Sequence, residues 1–251
     1  MQRRSDWDVR IRPAARRWTS HTGRMNWSTT YADELDERGW TIVPQVLARA
    51  DCEALRELYA HDSPFRSRVV MQRHGFGQGE YKYFDYPLPP LVAQLRAALY
   101  PCLMPIANRW HERLDIATQF PATHAEFIER CHAAGQTRPT PLLLHYRAGD
   151  YNCLHQDVYG EHVFPLQAVA LLSQPGKEFE GGELALTEQR PRMQSRVSVL
   201  PLAQGDLAIF AVRDRPVRGT RGDYRVAMRH GVSVLRAGTR STLGVILHDA
   251  R

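Results

Sequence analysis

Two residues near the middle of the chain have the types and the spacing of metal ligands. An apolar run at Leu142–Leu144 is followed by turn residues at 148–150 and then by His155-Gln-Asp157. In extended backbone, residues two apart point to the same side, so the His155 imidazole and the Asp157 carboxylate can bind one ion together. A second histidine would complete the two-histidine, one-carboxylate set that holds Fe(II) on one face and leaves its other positions open. The pattern predicts a non-haem iron site.

The spacing alone is weak evidence, because such triplets also arise by chance. With 11 His and 27 acidic residues in the chain, about one His-x-acid triplet is expected at random. The sequence contains a second one, His124-Ala-Glu126, within the capping-box pattern Thr123-x-x-Glu126 at a helix start. Residues two apart on a helix diverge by about 200°, so this second pair cannot chelate an ion.

A third ligand and an anion-binding residue are both available further along the chain. His162 lies too close to the first pair, and His248 lies near the C-terminus, where chains fray. His230 begins a predicted strand 75 residues after His155, and Arg240 follows ten residues later. If consecutive strands belong to facing sheets, the Arg240 guanidinium can reach across a cavity and bind a carboxylate through two hydrogen bonds.

The elements that would position these residues predict an α+β protein. Before residue 141 we expect a short helix at 31–38, a strand at Trp40–Val43, an amphipathic helix from Asp51, two helices separated at Tyr100-Pro101, and a capped helix from Thr123 to near Gly135. After it, the pattern changes to strands at 142–147, 163–173, 183–187, 196–200, 206–212, 225–235 and 240–248. That many short strands in one block predict a double-stranded β-helix, or jelly roll, with buttressing N-terminal helices.

Composition sets the domain boundaries and the cellular setting that we expect. Residues 1–30 hold seven Arg against two Asp, so the basic charge of the chain belongs to this segment, which we predict to be a disordered tail. Residues 31–251 then form a single domain, with a helical half at 31–140 and a jelly-roll core at 141–250. Four widely spaced cysteines and no long apolar run predict a cytoplasmic protein with reduced thiols and no membrane contact.

The segment 63–87 is the candidate substrate surface. Cations alternate with aromatic residues there between several glycines, a composition that suits phosphate contact and base stacking. The alternative is a β-ribbon whose aromatic residues pack inward. The substrate-binding candidates are Arg66, Arg68, Arg73, His74, Tyr81 and Tyr83.

The residues from 155 to 243 also resemble a known family. The pattern His155-x-Asp157…His230-Gly-Val-x-x-Leu-x-x-Gly-x-Arg240-x-x-Leu resembles the signature of Fe(II)/2-oxoglutarate dioxygenases, and Gly181-Gly182-Glu-Leu between the ligands is similar to that superfamily. Much of residues 39–250 resembles a bacterial family described as AlkB-like oxygenases acting on damaged nucleic acid. The ten-residue gap from His230 to Arg240 is more similar to prolyl-hydroxylase-type enzymes.

This resemblance implies a set of roles and an activity. His155, Asp157 and His230 would hold Fe(II), while Arg240 and Tyr146 would contact the distal carboxylate of 2-oxoglutarate. With O₂, such an enzyme hydroxylates a C–H bond, and on an N-methylated base the result is oxidative demethylation, a DNA-repair reaction. The substrate would be single-stranded or flipped-base nucleic acid. A hydroxylase of an amino acid, peptide or small metabolite, and a non-catalytic jelly roll that binds metal or nucleic acid, remain open alternatives.

Overall fold

The computed structural model describes residues 27–251, so most of the predicted tail lies outside the described residues. Ser28 caps the first helix through its hydroxyl, and this helix therefore begins slightly earlier than the sequence predicts. The helices are α1 (Thr29–Arg38), α2 (Arg49–Glu57), α3 (Pro90–Arg113) and α4 (His124–Ala133). Among the described residues, none of these helices is both long enough and apolar enough to cross a membrane.

Fourteen strands in the described part of the chain form two antiparallel sheets. They are β1 (Trp40–Val43), β2 (Phe65–Val70), β3 (Gly77–Gln78), β4 (Glu80–Phe84), β5 (Leu142–Arg147), β6 (Tyr151–His155), β7 (Leu166–Leu171), β8 (Phe179–Gly181), β9 (Leu184–Gln189), β10 (Arg196–Leu200), β11 (Leu207–Ala211), β12 (Asp214–Gly219), β13 (Gly222–Val232) and β14 (Leu235–Val245). The large sheet has the order β1-β11-β7-β14-β5-β4-β2, and β8 also pairs with β14. The small sheet has the order β10-β9-β13-β6-β3, and β12 also pairs with β13.

The chain crosses repeatedly between the two sheets, as a jelly roll requires. Strands β5, β7, β11 and β14 belong to the large sheet, and the strands between them belong to the small one, apart from the short β8. This confirms the predicted double-stranded β-helix with helices at its N-terminal side. Because β13 and β14 lie in different sheets, His230 and Arg240 face each other across the sandwich rather than along a hairpin.

Burial explains why β5, β7, β11 and β14 of the large sheet were easy to recognise. All five residues of β11, Leu-Ala-Ile-Phe-Ala, are buried, because the small sheet covers one face of the large sheet and helices cover the other. Strands covered on both faces show continuous apolar runs rather than alternation. The segment before residue 141 is not purely helical, since it supplies β1, β2 and β4 to the large sheet and β3 to the small one.

Helix α3 contradicts one prediction. Tyr100-Pro101 was expected to end a helix, yet α3 continues from residue 90 to 113 with Pro101 and Pro105 inside it. Both prolines are exposed, so the carbonyl groups that they leave without a partner can bind water. The buried face, which includes Leu95, Leu99 and Leu103, continues without interruption across Pro101. Core packing on that face outweighs the cost of the prolines, which is about 3 kcal/mol each in a helix interior.

Two histidines, the half-buried His124 and the buried His248, predict that the fold is sensitive to acid. Burial, together with the nearby positive charge of Arg96, lowers the pKa of His124 and of His248 to about 4. In the unfolded chain these groups titrate near 6.5, so between those values the unfolded state binds protons that the folded state does not. The free energy of unfolding should therefore fall as the pH drops from about 6.5 towards 4, by about 1.4 kcal/mol for each pKa unit of each histidine.

Urea unfolding at pH 7 and at pH 5 would measure this effect. In the His124→Gln variant the amide can still donate to the Leu247 carbonyl, which His124 Nε2 contacts at 2.9 Å, and the loss of stability between the two pH values should be smaller. Equal stability of the wild-type protein at both pH values would contradict the prediction.

Candidate active site

The three predicted ligands meet at one end of the small sheet. His155 is the last residue of β6, Asp157 follows it, and His230 lies directly opposite His155 on β13. His155 Nε2 lies 3.5 Å from Asp157 Oδ1, and His230 Nε2 lies 3.2 Å from Asp157 Oδ2. The candidate ligand atoms of all three residues lie within 4.8 Å of one another. The sequence suggested that His230 begins its strand. In the structure, His230 lies near the end of β13, which is a longer strand.

The charge state of this cluster suits a cation. Burial opposes ionisation of Asp157, but hydrogen bonding and the charges of His155 and His230 outweigh burial and hold the pKa of Asp157 well below its usual value. Burial also opposes protonation of His155, yet Asp157 reverses the balance and raises the pKa of His155. Burial lowers the pKa of His230. Metal binding needs the ionised Asp157 carboxylate and neutral imidazoles, so a bound ion would take the place of the proton that Asp157 favours on His155.

Neighbouring groups orient the ligands. His155 Nδ1 lies 2.8 Å from the Cys153 carbonyl oxygen, so Nδ1–H donates there and Nε2 keeps its lone pair for a metal. The Tyr159 hydroxyl donates to Asp157 Oδ1 at 2.7 Å, and the Gln167 amide donates to Asp157 Oδ2 at 2.9 Å. Sequence analysis identified neither Tyr159 nor Gln167, since each contact depends on the fold rather than on spacing.

The cluster opens into a cavity of about 350 Å³ between the two sheets. This volume lies within the range of small-molecule sites. The ligand side chains occupy one wall, and the rest is mainly apolar or aromatic, including Tyr81, Tyr83, Leu142, Leu144, Tyr146, Val169, Leu184, Val232 and Ile246. Two imidazoles and a carboxylate on one wall, with open space before them, fit an Fe(II) ion that keeps positions for other ligands.

An arginine with no acidic partner among residues 27–251 lines the same cavity. Arg240 is 2% exposed, and its guanidinium makes no hydrogen bond or ion pair with any residue from 27 to 251. Aromatic rings surround it instead, with the Tyr146 centroid 5.6 Å and the Phe179 centroid 6.0 Å from its central carbon. The buried Tyr146 hydroxyl has Asn152 nearby but completes no hydrogen bond within the described chain. A buried charge needs a partner, so this end of the cavity fits a carboxylate ligand.

Gly182 allows Arg240 to occupy this position. Its φ is +62°, and a Cβ added there would lie 2.7 Å from Leu235 Cδ1 and 3.0 Å from Arg240 Cδ. Gly182→Ala should therefore displace the guanidinium and raise the KM for a carboxylate co-substrate. Gly176→Ala is the matched control, because Gly176 also has a positive φ, +74°, but has no atom within 4 Å of an added Cβ. Both variants should lose about 1–2 kcal/mol of stability from backbone strain, and only Gly182→Ala should change KM.

The candidate substrate residues divide into a group at or near the cavity and Arg68, which lies on the other face of its sheet. Tyr81 and Tyr83 line the cavity, and the Arg66 guanidinium stacks over Tyr83 at 4.5 Å. His74 stacks on Phe76, which lines the mouth and is 48% exposed. Arg73, beside His74, is exposed and forms no ion pair with residues 27–251.

Arg68 has different surroundings. It pairs with Glu80, which also accepts from the Tyr59 hydroxyl. In the β2–β4 pairing Arg68 lies opposite Lys82, which donates to the carbonyls of Tyr59 and His61. Successive side chains of a strand alternate between faces, so this group lies on the face opposite Tyr81 and Tyr83, and Arg68 does not reach the cavity.

The arginine-rich segment 213–229, a second possible phosphate-binding surface, is largely engaged within the protein. Four of its six arginines form ion pairs, namely Arg213 and Arg225 with Asp214, Arg215 with Glu188, and Arg218 with Asp223. This segment therefore offers little free positive charge.

Comparison with known proteins identifies the family. The model of a family described as "Oxygenase, catalysing oxidative methylation of damaged DNA" matches residues 79–250, a range that contains the three clustered candidate ligands, Tyr146 and Arg240. The chain belongs to this oxygenase family. This match confirms the resemblance to an oxygenase family that the sequence showed, and the protein is an oxidoreductase.

Relatives of this oxygenase occur in mycobacteria. Two uncharacterized proteins of Mycobacterium tuberculosis, from strains CDC 1551 and H37Rv, are each 48% identical to it over 167 residues, covering 66% of this chain and 72% of each relative.

Solved structures similar to this oxygenase share its fold at low identity. A Pseudomonas putida prolyl-4-hydroxylase has a TM-score of 0.51 at 16% identity, covering 88% of this chain and 98% of its own. A Trichoplax adhaerens prolyl hydroxylase, in complex with a hypoxia inducible factor peptide fragment, has a TM-score of 0.52 at 15% identity, covering 86% of each chain. A Burkholderia pseudomallei oxidoreductase of the 2OG-Fe(II) oxygenase family has a TM-score of 0.51 at 14% identity, covering 95% of this chain and 97% of its own.

Proposed function

We propose that this protein is an Fe(II)- and 2-oxoglutarate-dependent dioxygenase that hydroxylates an N-alkyl group of a damaged nucleic-acid base. The observation that carries the reaction class is the presence, in one cavity, of the ligand cluster and of a buried arginine without an anion. A metal-binding module would need only the cluster. The free guanidinium adds a requirement for a carboxylate, which 2-oxoglutarate supplies.

Each residue has a distinct task in this proposal. His155, Asp157 and His230 would hold the iron, with the carboxylate ionised and the imidazoles neutral. Arg240 and the Tyr146 hydroxyl would bind the distal carboxylate of 2-oxoglutarate and orient its other end towards the metal. Bound iron would supply the oxidising chemistry, in which 2-oxoglutarate, O₂ and a methyl group give succinate, CO₂ and a hydroxymethyl group. An N-hydroxymethyl group then releases formaldehyde, which leaves the base demethylated.

The substrate assignment rests on the family description and on the aromatic cavity walls. Tyr81 and Tyr83 present rings to the cavity, and the stacked pair His74 and Phe76 lies at its mouth. Aromatic rings hold bases of any sequence by stacking, and a flipped or unpaired base is the form that could enter. Arg73 and His74 would meet the backbone outside the mouth.

A second candidate is the hydroxylation of an amino acid, a peptide or a small metabolite. It is favoured by the scarcity of cations at the cavity, where Arg240 is the sole Arg or Lys of the described chain in the lining. Exposed Phe76 and Leu154 would then contact apolar side chains rather than bases.

Succinate production tests both candidates. Protein purified anaerobically and loaded with Fe(II) would receive 2-oxoglutarate and O₂ with N-methylated single-stranded DNA, with the same DNA unmethylated, or with a peptide mixture. Succinate and formaldehyde that rise only with methylated DNA would support the proposal. Stimulation only by peptides would favour the second candidate, and absence of succinate under every condition would contradict the reaction class.

A further inference from the structure

A buried glutamine lies against the candidate ligands. Gln167 is 1% exposed and is the single polar residue of β7, whose other residues are Leu166, Ala168, Val169, Ala170 and Leu171. A carboxamide in such an apolar strand loses its contacts with water, and buried polar groups are normally retained where a partner compensates for that loss. The contacts of Gln167 therefore indicate its role.

Both described polar contacts of this side chain are with ligand residues. Gln167 Nε2 lies 2.9 Å from Asp157 Oδ2 and 3.2 Å from His230 Nε2. A carboxylate only accepts hydrogen bonds, so the amide nitrogen, rather than the amide oxygen, must face Asp157. His230 Nε2 faces Asp157 Oδ2 at 3.2 Å and is the atom that would bind the ion, so the hydrogen bond to Asp157 is the one that metal binding leaves to Gln167.

A second buried glutamine, Gln136, shows which hydrogen bonds a purely structural amide makes in this fold. Gln136 Oε1 accepts from the backbone N–H groups of Glu161 and His162 at 2.9 and 2.7 Å. Its Nε2 contacts three carbonyl oxygens, of which the Asp249 oxygen is at 2.6 Å. All of its polar atoms join backbone segments. Gln167 joins none, and its Oε1 is buried without a partner in residues 27–251.

The two histidines also differ in what holds them. The His155 ring is fixed by the Cys153 carbonyl. His230 Nδ1 is buried and has no hydrogen-bond partner among the described residues, and its ring rests on Phe210 with centroids 4.8 Å apart. Phe210 is the residue opposite Gln167 in the pairing of β7 with β11. The position of the His230 ring thus depends on Phe210, which lies opposite Gln167, and on the Asp157 carboxylate that Gln167 contacts.

We propose that Gln167 is the positioning residue of the metal centre, which holds the Asp157 carboxylate in its binding orientation before the ion arrives. With the Tyr159 hydroxyl on Oδ1 and the Gln167 amide on Oδ2, each carboxylate oxygen has one fixed donor. The inference rests on the proposed function, since it assumes that these residues bind a metal. Loss of such a supporting contact typically weakens metal binding by about 10–100-fold.

Cobalt(II) binding provides the test, because Co(II) occupies Fe(II) sites without turnover and its visible d–d spectrum reports ligand geometry. In Gln167→Met, which keeps the side-chain length but removes the donor, affinity should fall by about 10–100-fold and the spectrum should change. Gln189→Met is the control for the same substitution, since Gln189 is exposed on β9 and contacts Ser195 and nearby backbone carbonyls. It should bind Co(II) as the wild type does.

The outcomes separate this inference from the proposed function. A folded Gln167→Met protein with wild-type affinity and spectrum would overturn the inference alone, whereas a wild-type protein that does not bind Co(II) would overturn the proposed function. If thermal melting shows that Gln167→Met is unfolded, Gln167→Asn keeps an amide one methylene shorter and should show the same direction of change. Failure of both variants to fold, with or without Co(II), would assign Gln167 a structural role and overturn the inference.

Discussion

In the Asp157→Asn variant, metal affinity and succinate formation should both fall by more than about 100-fold, which exceeds the effect typical of losing a supporting contact. Asparagine keeps the shape of the side chain and removes its charge, so the two imidazoles would face a neutral amide. Asp157 is buried, and an ionised group in such a place interacts strongly with a cation. The loss should therefore concern binding of the ion rather than the fold, and thermal melting of the metal-free protein should show a folded variant.

The chain supplies a matched control in its second His-x-acid triplet. Glu126 accepts from the backbone N–H and hydroxyl of Thr123 in the capping box of α4. Glu126→Gln should weaken the helix cap only slightly and leave metal affinity unchanged. Isothermal titration with Co(II) under one buffer condition would compare the variants. Wild-type affinity in Asp157→Asn would show that this carboxylate is not a ligand.

Arg240→Met should have opposite effects on function and on stability. The KM for 2-oxoglutarate should rise by at least about 100-fold, because two charge-assisted hydrogen bonds are each worth about 1.5–3 kcal/mol and about 1.4 kcal/mol corresponds to a factor of ten. In the absence of co-substrate, the same variant should be at least as stable as the wild type. Burial lowers the pKa of Arg240, a sign that its charge is poorly solvated, and methionine removes that unpaired charge.

Thermal melting with and without 2-oxoglutarate would measure both effects. The wild-type protein should gain stability when 2-oxoglutarate is added, and the variant should not. Arg240→Lys retains the charge but not the planar pair of donors, so its KM should lie between the two. A variant with unchanged KM would show that the distal carboxylate binds elsewhere.

Short sequence patterns predicted the parts of the site and of the fold that depend on residues close together in the chain. The spacing of His155 and Asp157, the capping box at Thr123 and the apolar runs of β5, β10 and β11 all depend on residues close in sequence. The strand β6 was not predicted, because Tyr-Asn-Cys-Leu-His has no apolar run and none of its residues is buried. The continuity of α3 was missed because the exposure of Pro101 depends on which face the sheet covers.

Long-range pairing determines the features that the sequence could not indicate. Gln167 becomes part of the site only because β7 faces β13 across the sandwich, and one glutamine in an apolar strand gives no local signal. Arg66 and Arg68 have the spacing of residues that share one face, yet Arg66 stacks over Tyr83 while Arg68 pairs with Glu80. The β2–β4 pairing shifts register between Phe65 and Ser67, which interrupts the alternation that sequence analysis assumes.

The direct pairing of His155 with His230 has a consequence for how the protein resists proteolysis and hydrogen exchange. An ion held by both residues would act as a reversible cross-link between β6 and β13, closing a long loop of chain that includes β7 to β12. Such closure lowers the entropy of partly opened states, and its contribution grows with the concentration of free metal. Amide protons of β6 and of its edge neighbour β3 should then exchange more slowly as metal is added, so the supply of iron would set the lifetime of the folded enzyme as well as its activity.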